Sequence, residues 1–379
     1  MDASILARLL DLAIRIQQIP APTFAEAQRI AFLRERFAEI SLEEIQVDEF
    51  GNLYGKLRGA GTAPPLVVSA HCDTIFPAST DLTYHCSEGM ITAPGIGDNA
   101  VGLAALCALA WLLQQDAGAM KPLHSYLPGD LWLVATTCEE GLGDLRGMRA
   151  VVERFGANPL AYLVLEGMAL GQIYHRGLGV RRYRITAKGA GGHSWADFGR
   201  PSAVHELANL VSRLTSLPLP TAPRTSLNVG IFSGGIAVNA IASEAYIEVD
   251  LRSESALTLT DLARRVESLV ASADREDLHM SFEVIGDRPA GEIPPEHPLV
   301  QLAMRSLKAV GIQPVLSIGS TDANIPLSRG LPAVCMGLTT GSGAHTLKES
   351  IYLQPLEQGL RCLLMVVEGV FRELFDWRG

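Results

Sequence analysis

Hydrophobic positions in the first half of the chain fall into short continuous runs separated by longer amphipathic stretches. Apolar runs of strand length occur at 66–70, 131–138 and 161–165. Three stretches of helical length are indicated at 5–18, 24–39 and 98–115. One further strand is indicated near 46–57. Continuous apolar strands that alternate with helices are typical of a mostly parallel sheet covered by helices on both faces. We therefore predict an α/β fold with a mixed, mostly parallel sheet for this part of the chain.

The pattern changes near Gly179, where apolar and polar residues begin to alternate. Such alternation is typical of antiparallel strands that have one covered and one exposed face. Two segments with helical spacing interrupt the strands, which gives the order strand, helix, strand, strand, helix, strand. The predicted segments are 180–188, 204–211, 227–232, 246–252, 259–270 and 280–285. This order predicts a ferredoxin-like two-layer α+β domain over residues 179–288.

The α/β pattern resumes after Pro289. A helix is predicted at 299–310, a strand at 333–338 and a long amphipathic helix at 356–375. If this last part contributes to the same sheet as the first part, the first domain is discontinuous, with residues 1–178 and 289–379. The α+β segment at 179–288 is then an inserted domain.

Composition and charge narrow the possible partners. The chain of 379 residues has a formal net charge of −10, with 48% apolar and 19% charged residues. An acidic chain that lacks a basic stretch is a poor partner for nucleic acids and for anionic membranes. The apolar run at 101–113 is too short to span a bilayer and is predicted to be a buried helix.

Two features favour a cytoplasmic protein. The first residues lack the basic segment of a signal peptide, and we interpret them as an amphipathic helix. The six cysteines are scattered without a Cys-x-x-Cys spacing, which favours reduced thiols over disulfides. Cys72 and Cys138 neighbour candidate site residues, but side chains alternate along a strand, so we expect both thiols to point away from the site.

Histidines and carboxylates lie at or just beyond the ends of the apolar strands. His71 and Asp73 follow the first run, and the strands that come later end near further acidic or histidine residues. These residues are Glu139, Glu140, Glu166 and His345, and Asp98 precedes the apolar helix. In open α/β sheets, ligands bind outside the carboxyl ends of the strands. Two histidines with four or five carboxylates could therefore converge on one crevice and bind a pair of divalent metal ions.

Each of these residues also has a simpler explanation when it is taken alone. His71 and Asp73 could form a surface hydrogen bond, Asp98 could cap the following helix, and Glu139 with Glu140 could be an exposed acidic turn. Their joint placement at strand ends favours the metal interpretation. Imidazole and carboxylate ligands without thiolate suit zinc, cobalt or manganese.

The same residues form a series of short motifs in a specific order. His71-Cys72-Asp73-Thr74 resembles a His-x-Asp-Thr motif, and Glu139-Glu140-Gly141 resembles a Glu-Glu pair. The remaining motifs are Gly95–Gly102 with compressed glycine spacing, Glu166-Gly167 and Gly343-Ala344-His345. In this order, spread over nearly the whole chain, they resemble the co-catalytic metallopeptidases, which include glutamate carboxypeptidase, aminoacylase, acetylornithine deacetylase and peptidase T.

The resemblance implies a role for each residue. His71, Asp98 and Glu166 would hold one metal ion, and Asp98 would bridge to a second ion held also by Glu140 and His345. Asp73 would orient His71, and Glu139 would be the general base. The resemblance further implies a cis peptide bond between Asp98 and Asn99.

The inserted segment resembles the lid or dimerisation domain of the same family. The motifs are 188–194, 233–239 and 250–252. By resemblance, His193 would reach the site of a neighbouring subunit in a homodimer and stabilise the oxyanion, while Asn239 and Arg252 would bind the substrate. The alternatives are a flexible glycine turn before His193 and a solvated strand face at Arg252. The segment 319–324 resembles a part of the family's active-site wall.

These features together predict a two-metal hydrolase of amide or peptide bonds, in the cytoplasm, with zinc, cobalt or manganese. Peptidase T and related dipeptidases usually carry Asp at the position of Glu166, whereas carboxypeptidases and N-acyl amino acid deacylases usually carry Glu. The substrate is therefore expected to be a small peptide or N-acyl amino acid with a free carboxylate. Two alternatives remain open: a catalytically silent relative that serves as a binding or scaffold protein, and a metal-dependent hydrolase of other bonds such as phosphoesters. No Gly-x-Ser-x-Gly elbow is present, which disfavours a serine hydrolase.

Overall fold

The structure is a computed structural model that describes residues 3–115 and 127–374. The α-helices within these residues are α1 (Ala3–Gln17), α2 (Ala27–Glu39), α3 (Val101–Gln114), α4 (Arg146–Phe155), α5 (Ala203–Thr215), α6 (Ala256–Ala273), α7 (Pro298–Ala309), α8 (Asn324–Ser328) and α9 (Leu356–Gly369). The predicted helix at 24–39 begins only at Ala27. Phe24 has a left-handed φ of 76°, which is incompatible with a right-handed helix at that residue. Of the predicted helix at 356–375, the last residue lies outside the described residues.

The strands follow the predicted order with several short additions. They are β1 (Glu43–Val47), β2 (Leu53–Leu57), β3 (Leu66–His71), β4 (His85–Ser87), β5 (Met90–Thr92), β6 (Leu131–Thr136), β7 (Tyr162–Glu166), β8 (Gln172–Gly177), β9 (Gly179–Gly189), β10 (Gly192–His193), β11 (Thr225–Gly234), β12 (Ala240–Ile241), β13 (Glu244–Ser253), β14 (Leu278–Arg288), β15 (Gly291–Glu292), β16 (Val315–Gly319), β17 (Ala333–Gly337), β18 (Gly341–Ser342) and β19 (Ser350–Tyr352). The strand predicted near 46–57 is a hairpin of β1 and β2 instead, because Asp48 accepts the N–H groups of Phe50 and Asn52 and closes a turn.

The chain divides into two compact units, residues 1–177 with 292–379, and residues 178–291. The sequence placed the corresponding boundaries after residues 178 and 288. The first unit contains a nine-stranded sheet in the order β1-β2-β6-β3-β7-β17-β8-β15, with β16 also beside β8. Strands β6, β3, β7 and β17 are parallel to one another at its centre, whereas β1, β2 and the β17–β8 pair are antiparallel. The predicted mixed, mostly parallel sheet is confirmed.

The centre of this sheet is buried on both faces. Every residue of β3 and β6 is buried, and so are most residues of α3. Within the described residues, one helical stretch, Ile96–Gln114, is long and apolar enough to cross a membrane, but 89% of its apolar window is buried inside the fold. Burial of this kind is expected of a core helix, as the sequence predicted. Because β3, β6 and β7 are parallel, their carboxyl ends lie at one edge of the sheet.

The second unit is the predicted ferredoxin-like domain. Its sheet has the order β11-β13-β9-β14 with antiparallel neighbours throughout. Alternate residues of β9 and β13, such as Tyr183, Ile185, Ile247 and Val249, are buried in one core with α5 and α6. The strict alternation of the sequence is thus explained by a sheet that has helices on one face. A separate two-stranded ribbon pairs β10 with β12.

Candidate metal centre

The carboxyl edge of the central sheet gathers the predicted ligands. His71 is the last residue of β3, and Glu166 is the last residue of β7. Glu140 lies in the turn after β6, at the same edge. Asp98 lies in an irregular turn (Ile96–Ala100) before α3, and His345 lies in the loop between β18 and β19.

The five side chains form two groups that share Asp98. His71 Nε2 lies 2.9 Å from Asp98 Oδ1 and 3.6 Å from Glu166 Oε2. His345 Nε2 lies 3.1 Å from Asp98 Oδ2 and 3.1 Å from Glu140 Oε1. Within each group, one potential ligand atom from every residue lies within 4.8 Å of the others. Asp98 therefore presents one carboxylate oxygen to each histidine, as a bridging ligand would.

The electrostatics of the cluster favour cations. Burial by itself would lower the pKa of His71, but the charge of Glu166 and hydrogen bonds with Asp73 and Asp98 raise it well above its usual value. Hydrogen bonds to Asp98 and Glu140 raise the pKa of His345 to about 10. Burial raises the pKa of Glu166, whereas the two histidines outweigh burial at Asp98 and hold its pKa well below the usual range. Positive charge is thus needed to hold these carboxylates together, and nitrogen and oxygen ligands without thiolate fit divalent zinc, cobalt or manganese.

Asp73 connects the turn that follows β3 with the turn that follows β6. His71 Nδ1 lies 3.1 Å from the backbone carbonyl of Asp73 and 3.6 Å from its carboxylate. The carboxylate itself accepts the backbone N–H groups of Glu139 and Glu140, each at 2.9 Å, and the hydroxyl of Thr23 at 2.8 Å. The hydrogen bond and charge of His71, together with the N–H groups of Glu140 and Glu139, outweigh burial and lower the pKa of Asp73. Asp73 is therefore a buried carboxylate in contact with the backbone of Glu139 and Glu140 and with the ring of His71.

Glu139 lies beside the ligand groups rather than within the pair that shares Asp98. It is almost fully buried, and one of its oxygens lies within 4.8 Å of ligand atoms of His71 and Glu140. The neighbouring Glu140 is in hydrogen-bonding distance of His345. Two adjacent carboxylates thus have different surroundings, which suits one of them to bind metal and the other to exchange protons.

The turn that carries Asp98 is attached to the end of β7. The Asp98–Asn99 peptide bond is cis, as the resemblance implied. The Asn99 side chain donates to the carbonyl of Leu165 and accepts the N–H of Gly167, which ties the turn to the end of β7 where Glu166 lies.

Glu349 was not recognised in the sequence. It is completely buried, and its carboxylate accepts the backbone N–H groups of Gly95, Gly97 and Asp98 at 3.1, 2.7 and 2.8 Å. Burial raises its pKa to about 7. Its position four residues after His345, in the same loop, was the available signal.

Asp322 is a second buried acid near the site. It belongs to the segment 319–324 that resembled an active-site wall. Its Oδ2 accepts the hydroxyl of Thr136 at 2.6 Å, whereas its Oδ1 has no hydrogen-bond partner among the described residues. Burial raises the pKa of Asp322 to about 7. Thr136 pairs with His71 across β6 and β3. Through its hydrogen bond with Thr136, Asp322 therefore stabilises the strand end next to His71.

The cysteines take no part in the ligand groups found among the described residues. All six thiols are free, as predicted. Burial raises the pKa of Cys72 and of Cys138 to about 12. The Cys138 thiol faces Glu26, which is not one of the proposed ligands.

The predicted lid residues lie in the second unit. His193 is exposed, and its Nδ1 accepts the N–H groups of Trp195 and Ala196 at 3.2 and 3.3 Å, so the neutral ring carries its proton on Nε2. The backbone carbonyl of Asn239 accepts the N–H of Ser194 at 3.0 Å, which places Asn239 beside His193. Arg252 donates to Asp250 at 2.7 Å and remains partly exposed.

The chain resembles known peptidases in sequence and in fold. Residues 176–278 match a family model described as a peptidase dimerisation domain, and residues 52–172 match peptidase family M28. The resemblance to the co-catalytic metallopeptidases is confirmed. The chain is a hydrolase of the peptidase and deacylase type, and proteins of this type act on C–N bonds.

Relatives of this group resemble the chain over most of its length. Succinyl-diaminopimelate desuccinylase of Corynebacterium glutamicum is 24% identical over 355 residues, which cover 92% of each protein. A tripeptidase of Staphylococcus aureus has a similar fold, with a TM-score of 0.79, 22% identity, and coverage of 97% of this chain and 99% of the other. A dinuclear metal-binding peptidase of the M20 family from Bacillus subtilis has a TM-score of 0.69 at 17% identity, with coverage of 98% and 99%.

Proposed function

We propose that this metallopeptidase relative is a two-metal hydrolase of amide bonds in small peptides or N-acyl amino acids that carry a free carboxylate. The observation that carries the proposal is the position of Asp98, whose two oxygens lie 2.9 and 3.1 Å from the Nε2 atoms of His71 and His345. A carboxylate between two His–carboxylate groups is the arrangement that a bridging ligand requires. The dinuclear metal-binding neighbour of Bacillus subtilis supports the same interpretation.

His71, Asp98 and Glu166 hold one ion in this proposal, and Asp98, Glu140 and His345 hold the other. Zinc is our first choice, and cobalt or manganese are compatible with the same ligands. Bound divalent ions supply Lewis acidity that polarises a carbonyl and lowers the pKa of a water molecule. Of these ligands, His71 and Glu140 are buried, Asp98 and Glu166 are half-buried, and His345 is exposed.

Glu139 is the proposed general base. Its carboxylate takes the proton of the attacking water and passes that proton to the leaving amine. Asp73 fixes the backbone at Glu139 through the 2.9 Å hydrogen bond and orients His71. The different surroundings of Glu139 and Glu140 support this division of roles.

The second unit supplies the proposed substrate contacts. Arg252 has a planar set of donors that suits a substrate carboxylate, and Asn239 adds an amide. His193 would donate its Nε2–H to the oxyanion in the site of a neighbouring subunit. The match to a peptidase dimerisation domain supports a homodimer that forms through this unit.

The substrate class follows from these contacts and from the relatives. Glu166 favours the carboxypeptidase and deacylase branch, and relatives carry the names desuccinylase, probable carboxypeptidase and acetylornithine deacetylase. The net charge of −10 argues against nucleic acids and anionic membranes as partners. We further propose a cytoplasmic location, which suits free thiols.

The test is a substrate panel on protein loaded with zinc, cobalt or manganese. The panel contains N-acyl amino acids, dipeptides and a generic phosphoester, and a chelator-treated sample is the control. Hydrolysis of N-acyl amino acids or dipeptides that disappears on chelation supports the proposal. Inactivity of the metal-loaded protein on all substrates would indicate a binding or scaffold protein. Release of phosphate alone would indicate a hydrolase of phosphoesters.

A further inference from the structure

A short segment before and within α2 contacts the turn after β3 and the turn after β6, which meet at the candidate metal centre. This segment, residues 19–29, is here called the N-terminal clamp. Its backbone pairs with Thr74, because Thr23 N–H donates to the Thr74 carbonyl and Thr74 N–H donates to the Ala21 carbonyl. The Thr23 hydroxyl also donates to Asp73. The clamp therefore lies directly against the turn that follows β3.

Arg29 extends these contacts into the interior. Its side chain is 2% exposed, and its Nη1 donates to the carbonyl of Cys72 at 2.8 Å. Nε and Nη2 both donate to the carbonyl of Ile19. The planar guanidinium thus connects the start of the clamp with the residue between His71 and Asp73.

Glu26 contacts the other turn. It is 6% exposed, and its Oε1 accepts the N–H of Cys138 and the N–H of Phe24, both at 3.1 Å. Cys138 immediately precedes Glu139, and it has a φ of 56°. A residue with a β-carbon disfavours this left-handed conformation, so surrounding contacts must maintain it, and the hydrogen bond from Cys138 N–H to Glu26 is one of them.

We propose that Glu26 is a positioning residue that holds Cys138 in its left-handed conformation and thereby sets the orientation of Glu139 and Glu140. Arg29 performs the matching task at Cys72, so the N-terminal clamp fixes the two turns relative to each other. The proposal rests on the proposed function, since it assigns catalytic and metal-binding roles to Glu139 and Glu140. Neither Glu26 nor Arg29 contacts the reacting atoms.

The experiment compares Glu26→Ala, Glu26→Gln and Glu35→Ala in the full-length protein. Glu35 is an exposed glutamate on α2, the helix that Glu26 directly precedes, and serves as the matched control. Glu26→Ala should lower kcat about 10-fold to 100-fold with KM nearly unchanged, which is the usual effect of removing an outer partner of a metal site. Glu26→Gln retains an acceptor oxygen and should recover most of the loss. Adding Cys138→Gly to Glu26→Ala should also recover part of it, since glycine adopts a positive φ without strain.

Cobalt titration gives a measurement that needs no substrate. Glu26→Ala should still bind two Co²⁺ ions per chain, with the affinity of one site lowered about tenfold and its visible absorption spectrum altered. If the wild-type protein hydrolyses nothing in the substrate panel, the proposed function fails, whereas the cobalt titration still tests the clamp. If Glu26→Ala does not fold, Glu26→Asp withdraws the acceptor while keeping the charge, and the same effects are expected.

Three outcomes would overturn the proposal. The first is a Glu26→Ala variant that equals Glu35→Ala in kcat and in both cobalt affinities. The second is a Glu26→Gln variant as impaired as Glu26→Ala, because the acceptor would then not be the cause. The third is a rise in KM at unchanged kcat, which would place Glu26 in substrate binding.

Discussion

The carboxylate of Asp73 accepts a hydrogen bond from the backbone N–H of Glu139 at 2.9 Å. The residue proposed to orient His71 therefore also fixes the residue proposed as general base. The Asp73 carboxylate lies 3.6 Å from His71 Nδ1, whereas the Asp73 backbone carbonyl lies 3.1 Å from the same nitrogen. Asp73 thus joins the turn after β3 to the turn after β6.

The first prediction separates metal binding from proton transfer. Glu139→Gln should retain both metal ions and lose a factor of about 10²–10⁴ in turnover, since amide nitrogen and oxygen cannot take up the proton of water. Glu140→Ala should bind one metal ion fewer, because Glu140 contacts His345. Metal content by mass spectrometry and initial rates check both variants. Near-normal turnover of Glu139→Gln would contradict its assignment.

The second prediction concerns His71 and Asp73. His71→Ala should empty one metal site, because His71 is a proposed ligand whose Nε2 lies 2.9 Å from Asp98 Oδ1. Asp73→Ala should mainly impair activity, because it frees the backbone N–H groups of Glu139 and Glu140 but removes none of the proposed metal ligands. Metal stoichiometry measured beside kcat distinguishes the two. Equal and complete metal loss in both variants would show that their roles are not divided.

The third prediction follows from the raised pKa values of the histidines. His345, with a pKa of about 10, holds a proton at pH 7.5 in the metal-free protein, and the charge of Glu166 helps to raise the pKa of His71 well above its usual value. Metal binding needs neutral imidazole, so titration with zinc at this pH should release protons, including one from His345. The release should decline as the pH rises through about 10, where His345 loses its proton unaided. Calorimetry in two buffers with different ionisation enthalpies measures the number, and His345→Asn should release about one proton fewer.

The fourth prediction tests Glu349. Glu349→Ala leaves the N–H groups of Gly95, Gly97 and Asp98 buried without their acceptor. We expect it to lower the free energy of unfolding by about 2–4 kcal/mol, from the cost of unsatisfied buried donors, and to weaken the site that shares Asp98. The neighbouring exposed Lys348 provides the control variant Lys348→Ala. Denaturant unfolding of metal-free protein supplies the measurement, and equal stability of the two variants would be the contrary result.

The fifth prediction concerns the proposed exchange of His193 between subunits. His193→Ala and Glu139→Gln should each be nearly inactive alone. Mixed and allowed to exchange subunits, they should recover roughly a quarter of wild-type activity, because half of the dimers are mixed and each mixed dimer has one complete site. Absence of recovery, with mixed dimers demonstrated by native mass spectrometry, would show that His193 does not act in trans.

The sequence alone determined the features that depend on local order. Strand ends could be located because apolar runs stop where polar ligands begin, and His71, Glu166 and the Glu139–Glu140 pair were recognised in this way. The change from continuous runs to alternation near Gly179 predicted two kinds of sheet, because the number of covered faces determines how many positions along a strand are apolar. The ferredoxin-like order followed from the same alternation.

Only the tertiary structure decided the contacts between residues far apart in the chain. Glu349 lies about 250 residues from the turn that it holds, and Glu26 lies 112 residues from Cys138. Asp73 meets Glu139 across adjacent parallel strands. A buried carboxylate that accepts backbone N–H groups leaves no periodic signal, because its partners are backbone atoms, which every residue supplies whatever its type. For this reason the candidate ligands and Asp73 could be proposed from the sequence, whereas the supporting contacts of Glu349 and Glu26 required the fold.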